Sequence, residues 1–329
     1  MSLLEAILLG VVQGLFMFVP VSSTSHLVLA QHWLQDQGSA IANPESADMM
    51  LFDLVVHVGT LVSIAVVFRN DLWRLLTRTV ADLRSRCGGG PPTEGLYLRL
   101  FLLGMLSTAI TGVLALPVRE LVAEDVFATA LALVFMWTAT GAVLWWTDIL
   151  GPRRRGLRDL TPWIAVGIGL VQAAALVPGL SRSGITIVVA LLLGLRRRWA
   201  AEYSFFIAIP TILGLTLGQF VLEADELSAV DPLPLLVAFV VAAVVGTFAL
   251  LLVLRLLYRA RMRYFAYYLW GLAAIVSVWQ LGPIPGGSLA LGLGLVTALI
   301  LVLVTRYQRH RPVRPGSQRR PRSIEDRGS

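Results

Sequence analysis

Long apolar runs recur along this chain at lengths near 20 residues, and no other feature restricts its fold as much. A helix needs about 20 apolar residues to cross a bilayer, where a spanning segment must satisfy its own backbone hydrogen bonds. The chain is 57% apolar and 14% charged over 329 residues. We therefore expect an all-α polytopic integral membrane protein. Seven runs are predicted to be transmembrane helices: Met50–Phe68, Leu98–Leu116, Val126–Trp146, Ser204–Leu222, Leu233–Leu254, Tyr264–Gln280 and Ser288–Thr305.

Two further apolar stretches are each broken by a polar tip. The stretch from Leu3 to Leu34 is interrupted around Pro20, and the stretch from Trp163 to Leu195 is interrupted by Val177–Thr186. The runs beside the second tip are about 11 to 14 residues long, which is too short to span a bilayer. Both stretches are therefore predicted to be re-entrant helical hairpins.

The arginines predict the orientation of these elements. Loops rich in arginine stay on the cytoplasmic side of a membrane. Apart from Arg119 and Arg182, the arginines fall on one side if each predicted span crosses once, and the acidic loops fall on the other. This distribution explains the net charge of +7 without a nucleic-acid partner. The single cysteine, Cys87, excludes a disulfide framework and a thiolate metal cluster.

This orientation makes the two hairpins enter from opposite faces, which is the geometry of an inverted repeat. The match between Leu9–Gln13 and Ile168–Gln172, each followed by a proline, supports it. Sites in inverted repeats with broken helices lie near the bilayer midplane. The predicted units are a first repeat (1–147), a second repeat (148–281), an additional C-terminal span (282–305) and a disordered arginine-rich tail (306–329) that is cytoplasmic and able to contact anionic lipid headgroups.

The second tip carries Arg182, the one arginine predicted to lie at membrane depth. A charge there costs about 2.5 to 3.5 kcal/mol on insertion scales and is usually functional. The hydroxyls of Ser181 and Ser183 can cap the following helix, whose N-terminus also attracts anions. Thr186, one turn further on, either donates to the same anion or bonds back to its own helix. We expect an anion-binding site, with a structural ion pair of Arg182 as the alternative.

The first tip offers hydroxyl groups and an imidazole. Ser23 and His26 lie three residues apart, so their side chains can meet as nucleophile and base. Ser22 and Thr24 are further candidates for substrate binding. The alternative is that the three hydroxyl residues are helix caps and that His26 is a packed polar residue.

Four other polar residues lie in or near apolar runs. Gln13 and Gln172 occupy matching positions, and either can bind a ligand or bond to the other hairpin. We assign Gln13 to substrate binding and favour a structural role for Gln172. His57 is interpreted as a buried, bonded histidine and Glu202 as the ion-pair partner of Arg198, so neither is placed in the site.

The segments Gln13–His26 and Pro178–Thr186 resemble the two signatures of the undecaprenyl-diphosphate phosphatase family, also called bacitracin-resistance proteins. The resemblance runs from about residue 4 to 275. It implies a multi-pass protein of the bacterial inner membrane that removes the terminal phosphate of undecaprenyl diphosphate at the outer face. The product is the lipid carrier for cell-wall synthesis, and the activity confers bacitracin resistance. By the same resemblance, Ser23 is the attacking hydroxyl.

One residue departs from the family pattern. The family usually has Glu or Gln, three residues and then Glu, whereas this chain has Gln13 followed by Met17. The family's acidic pair implies magnesium or calcium, for which a thioether is a poor ligand, so the metal ligands stay unassigned. Asp53 and Glu5 are the nearest acids that can compensate. Met17 also favours two alternatives, a polyprenyl-phosphate transporter or flippase and an inactive homologue.

Overall fold

The computed structural model describes residues 1–39, 41–43, 46–123, 130–151, 153–177, 179–222 and 231–281. Within these ranges the regular structure is helical. The helices are α1 (Leu3–Phe18), α2 (Ser23–Asp36), α3 (Ala47–Val67), α4 (Arg69–Arg86), α5 (Leu96–Ala123), α6 (Ala130–Thr147), α7 (Pro162–Ala174), α8 (Arg182–Leu192), α9 (Arg197–Leu222), α10 (Pro232–Tyr258) and α11 (Arg263–Leu281), with a 3₁₀ turn at Leu157–Asp159.

Four of these helices, α3, α5, α9 and α10, are long and apolar enough to cross a membrane. They match the predicted spans that begin at Met50, Leu98, Ser204 and Leu233. The helices α1, α6, α7 and α8 are apolar but shorter. An all-helical, multi-pass membrane protein is thus confirmed. The predicted span at 288–305 and the tail at 306–329 lie outside the described residues.

The chain breaks within both predicted tips. Between α1 and α2, Pro20 lies two residues before Ser22, whose backbone is in the left-handed region at φ 69°. Between α7 and α8, Gly179 has φ +87°, a conformation that favours glycine because it has no Cβ. Each break ends one short helix and starts another, so α1–α2 and α7–α8 form two helical hairpins.

Two glycines at matching positions let each hairpin pack directly against the backbone of a long helix. A Cβ added at Gly10 of α1 would lie 2.9 Å from the carbonyl oxygen of Ala238 in α10. A Cβ added at Gly169 of α7 would lie 2.8 Å from that of Ser107 in α5. Gly10 and Gly169 occupy the same place in the two matching five-residue motifs. The first helix of each hairpin is therefore packed by the same device.

The segment from Arg69 to Arg86, which the sequence predicted to be part of a loop, is the amphipathic helix α4. Its Leu72 and Leu75 pack on the main apolar core, while Trp73 is 69% exposed. Asp82 accepts hydrogen bonds from the backbone N–H groups of Tyr97 and Leu98 at 2.9 and 3.0 Å, joining α4 to the start of α5. Burial raises the pKa of Asp82, but these and neighbouring hydrogen bonds outweigh it and leave that pKa lowered.

Candidate functional site

A cavity of 440 Å³ lies between the two tips and helices α3, α5 and α9. The tips touch beside it, because a Cβ added at Gly184 would lie 3.2 Å from the Cβ of Pro20. The polar and charged side chains that line the cavity come from both hairpins and from three long helices. They are Ser22, Ser23, Thr24, Asp53, His57, Thr111, Gln172, Ser181, Arg182, Ser183, Thr211 and Thr216.

Arg182 is the first residue of α8, and its side chain is partly exposed to this cavity. Its guanidinium forms no ion pair within 4.0 Å with any residue that the structure describes. Arg182 therefore forms no structural ion pair with a described residue, which was the alternative interpretation. A guanidinium that lines a cavity and has no ion-pair partner among the described residues is well suited to bind an anion, and its fork matches phosphate oxygens.

The start of α8 supports this cation. The hydroxyl of Ser181 accepts a hydrogen bond from the backbone N–H of Gly184 at 3.2 Å, which caps the helix as predicted. Ser183 also lines the cavity, with its hydroxyl 3.4 Å from that of Ser181. Thr186 does not line it. The hydroxyl of Thr186 donates to the carbonyl oxygen of Arg182 at 2.7 Å and lies 2.6 Å from that of Ser204, so it bonds back to its own helix.

The start of α2 is built differently. Ser22 is the residue before the helix, yet its side chain makes no capping bond, and its hydroxyl lies 3.0 Å from that of Ser25. A serine in the left-handed region is strained, and such strain clusters at functional sites. Ser23 and Thr24 line the cavity at this first turn. The uncapped turn presents hydroxyls and backbone N–H groups near Arg182.

His26 does not pair with Ser23, contrary to the expectation from their spacing. Its Nδ1 is 2.7 Å from the carbonyl oxygen of Ser22, and its Nε2 is 2.9 Å from the hydroxyl of Tyr268 in α11. The ring also stacks on Phe16 with 4.1 Å between ring centroids. Both ring nitrogens are thus occupied, and His26 is the packed polar residue of the alternative interpretation. The hydroxyl of Ser23 instead donates to the sulfur of Met17 at 3.7 Å.

The two matching glutamines differ in their surroundings. Gln13 is fully buried and donates to the sulfur of Met17 at 3.6 Å, so it lies behind Met17 and away from the cavity wall. Gln172 lines the cavity and donates to the hydroxyls of Thr111 and Thr211 at 3.0 and 2.9 Å. Gln172 therefore joins α7 to α5 and α9. Gln13, expected to bind substrate, does not reach the cavity in this structure.

Sequence reasoning left His57 out of the site and considered Asp53 only as a replacement for the missing glutamate, yet both line the cavity. They lie four residues apart on α3, and the Nδ1 of His57 is 2.6 Å from the carbonyl oxygen of Asp53. The carboxylate of Asp53 accepts a hydrogen bond from Gln31 at 3.2 Å. The signal was present as two polar residues one turn apart in an apolar span. Glu5, the other acid considered, instead bonds to Ser2 and Ser39 at the start of α1.

The described cavity does not fit a divalent metal held by the protein alone. Magnesium and calcium prefer several oxygen ligands, usually with more than one carboxylate when water is not supplied. Asp53 is the one carboxylate among the described lining residues, and Met17 supplies a thioether. No group of three or more metal-binding side chains occurs in the part of the chain that the structure describes. Glu202 lies elsewhere and pairs with Arg198 at 2.6 Å, as expected.

Comparison with known proteins gives a consistent picture over most of the chain. The family model described as bacitracin resistance protein BacA matches residues 6–275. An undecaprenyl-diphosphatase of Alkalilimnicola ehrlichii is 53% identical over 277 residues, covering 83% of this chain and 95% of that protein. One of Halorhodospira halophila is 52% identical over 282 residues, covering 84% and 97%. One of Rubrobacter xylanophilus is 39% identical over 288 residues, covering 84% and 98%.

Proposed function

The chain belongs to the bacitracin resistance protein BacA family, and on this basis we propose that it is an undecaprenyl-diphosphatase. It hydrolyses undecaprenyl diphosphate to undecaprenyl phosphate and inorganic phosphate. The observation that carries this proposal is Arg182, a cation without an ionic partner among the described residues in a cavity between two helix starts. The activity recycles the lipid carrier for cell-wall synthesis and confers resistance to bacitracin.

The diphosphate occupies the cavity while the polyprenyl chain stays in the lipid. Arg182 binds the phosphate oxygens, and the N-termini of α2 and α8 add partial positive charge and hydrogen-bond donors. The hydroxyls of Ser22, Thr24, Ser181 and Ser183 line the same space and complete the substrate site. Phosphoryl transfer depends mainly on positioning and on stabilisation of charge, which this set supplies.

Ser23 attacks the terminal phosphorus in this proposal. Its hydroxyl lies in the cavity wall and is engaged only weakly, because a thioether sulfur is a poor acceptor. Since both nitrogens of His26 are bonded elsewhere, we assign His26 an orienting role. It holds the first turn of α2 through Ser22 and ties that turn to α11 through Tyr268.

The same proposal includes the topology. The hairpins re-enter the bacterial inner membrane from opposite faces, as parts of inverted repeats at 1–147 and 148–281, with the arginine-rich side and the tail in the cytoplasm. The parallel packing of Gly10 and Gly169 supports this arrangement. Single cysteines at Asp36 and Arg154, in a Cys87→Ala background, test it by labelling in intact cells. Asp36→Cys should label from outside and Arg154→Cys should not. Labelling of both from outside contradicts the topology.

Phosphate release from undecaprenyl diphosphate by the purified protein is the decisive measurement of function. Parallel reactions with magnesium, calcium or a chelator test the metal dependence that the family implies. Binding of the lipid is measured separately, with Arg182→Lys as the control. Binding without phosphate release would favour a polyprenyl-phosphate transporter, which the three undecaprenyl-diphosphatases named above do not favour.

A further inference from the structure

The hydroxyl of Ser23 needs a proton acceptor, and the first tip does not provide one. Its partner in this structure is the sulfur of Met17 at 3.7 Å, and a thioether cannot take up its proton. The basic lone pair of His26 is unavailable, because Nδ1 donates its proton to the carbonyl oxygen of Ser22 and Nε2 therefore accepts from the hydroxyl of Tyr268. A base for this hydroxyl must therefore come from another wall of the cavity.

His57 on α3 meets this requirement. Its Nδ1 lies 2.6 Å from the carbonyl oxygen of Asp53, and a carbonyl oxygen can only accept a hydrogen bond. The proton of the neutral ring is therefore on Nδ1, and the lone pair is on Nε2. No described residue is hydrogen-bonded to Nε2, and the side chain of His57 lines the same cavity as Ser23 and Arg182.

We propose that His57 is the general base of this reaction, a role that rests on the proposed phosphatase activity. Imidazole is the side chain best suited to proton transfer near neutral pH. The fixed tautomer leaves the basic lone pair on Nε2 of a side chain that lines the same cavity as Ser23 and Arg182. Two other histidines are described, and neither can replace it: His26 is bonded at both nitrogens, and His32 is exposed on α2 outside the cavity.

The proton balance closes in two steps. In the first, Nε2 of His57 takes the proton of Ser23, the Oγ–P bond forms, and the bond from the terminal phosphorus to the bridging oxygen breaks. The departing undecaprenyl phosphate carries that proton away, which leaves His57 neutral. In the second step, the oxygen of a water molecule attacks the phosphorus of the phosphoserine while Nε2 of His57 accepts a proton from that water. The Oγ–P bond then breaks, and Ser23 recovers the proton as inorganic phosphate leaves.

The charged surroundings of His57 are few. Asp53 on its own helix and Arg182 on α8 line the cavity with it, and Arg182 is close enough to interact electrostatically with the imidazole. Helices α1, α4, α9 and α10 pack against α3 but contribute no charged side chain to the described lining. The competing base is thus Asp53, so the experiment must separate these two residues.

The test compares His57→Asn with His32→Gln in the full-length protein. Asparagine keeps an N–H donor near the position of Nδ1, so the bond to Asp53 is retained while the basic nitrogen is lost. Phosphate release should fall about 100-fold or more, the usual contribution of a general base, with binding of undecaprenyl diphosphate unchanged. His32→Gln should keep full activity. The rise of the wild-type rate with pH should disappear in His57→Asn, and added imidazole should restore part of the rate in His57→Ala.

Three results would overturn the assignment. One is a His57→Asn variant with activity within threefold of wild type and an unchanged pH profile. Another is an Asp53→Asn variant that loses the pH dependence while His57→Asn keeps it. In both cases the proposed phosphatase still stands. A wild-type protein that binds the lipid diphosphate but releases no phosphate would instead remove the phosphatase, and the role of His57 with it.

Discussion

The two hairpin tips have the same plan of short helix, break and short helix, but they provide different chemistry. The second tip is relaxed and charged: Gly179 takes the left-handed turn, Ser181 caps α8, and Arg182 opens the helix. The first tip is neutral and strained, with Ser22 in the left-handed region and no side-chain cap on α2. In the proposed function, the second tip binds the diphosphate and the first exposes hydroxyls to it, so binding and attack are divided between the two hairpins.

The matching glutamines behind the tips repeat this contrast. Gln172 is fixed by two threonine hydroxyls from α5 and α9. Gln13 has one weak partner, the sulfur of Met17, while the side-chain oxygens of both glutamines are unpaired among the described residues. The tip proposed to bind the diphosphate therefore has a well-bonded polar support, whereas the support of the tip proposed to attack it is weaker at Met17.

Replacing the guanidinium of Arg182 with an ammonium group should have the largest effect on activity. Arg182→Lys keeps the charge but loses the two parallel bonds to phosphate oxygens, so phosphate release should fall about 100-fold. Arg198→Lys is the matched control, because that arginine is exposed and pairs with Glu202, and its activity should stay near wild type. Near-normal turnover of Arg182→Lys would make the second tip structural.

The next effect concerns the packing that the two hairpins share. Gly10→Ala and Gly169→Ala should each lower the free energy of unfolding by about 2 kcal/mol, because the added methyl group overlaps a neighbouring backbone. Gly112→Ala is the control, since nothing lies within 4 Å of its Cβ position. Thermal unfolding in detergent measures all three. Clearly unequal losses at Gly10 and Gly169 would break the equivalence of the two halves.

A smaller effect is expected from completing the first tip. Met17 lines the cavity, so Met17→Glu places a carboxylate next to Ser23 and across from Arg182. We expect metal-dependent phosphate release to rise about tenfold, because charged groups at a reacting centre act strongly in an enclosed site. Met17→Gln, of similar size without charge, should not reproduce the gain. Suppose that the wild-type protein is inactive, and that Met17→Glu folds and binds the lipid diphosphate but also releases no phosphate. The phosphatase interpretation would then have to be dropped.

The smallest effect is expected from substituting the serines that precede α2 and α8. Ser181→Ala removes the capping bond to Gly184 and should cost about 1 kcal/mol of stability. Ser22→Gly removes no cap and relieves the left-handed conformation, so its stability should be unchanged or slightly higher. Chemical unfolding of both variants is the measurement. A loss at Ser22→Gly equal to that at Ser181→Ala would show that the two helix starts are equivalent after all.

Features local in sequence were predictable. A single arginine within an apolar stretch is visible without a structure, and so are the helix breaks around Pro20 and Gly179. Helix α4 was not predicted because its arginines lower the average hydropathy, although its apolar residues recur with helical spacing. Its moderate length and strong charge made it resemble a loop.

Features that depend on distant partners were not predictable. The spacing of Ser23 and His26 gives a shared helix face, but the rotamer of His26 is set by Tyr268, which lies in α11. His57 was left out because the cavity it lines is assembled from helices far apart in the chain. One sequence shows which residues are polar within a membrane segment, but not which of them share an empty space.

The contact of α1 with α10 also bears on how the protein is made. The glycine face of α1 is synthesised first, whereas its partner around Ala238 emerges from the ribosome near the end of the described chain. The first tip likewise waits for Gly184 before Pro20 has its neighbour. Until then the glycine face of α1 is uncovered, and Nε2 of His26 lacks the hydroxyl of Tyr268 in α11. The first hairpin therefore stays an unfinished intermediate until α10 and α11 have been made.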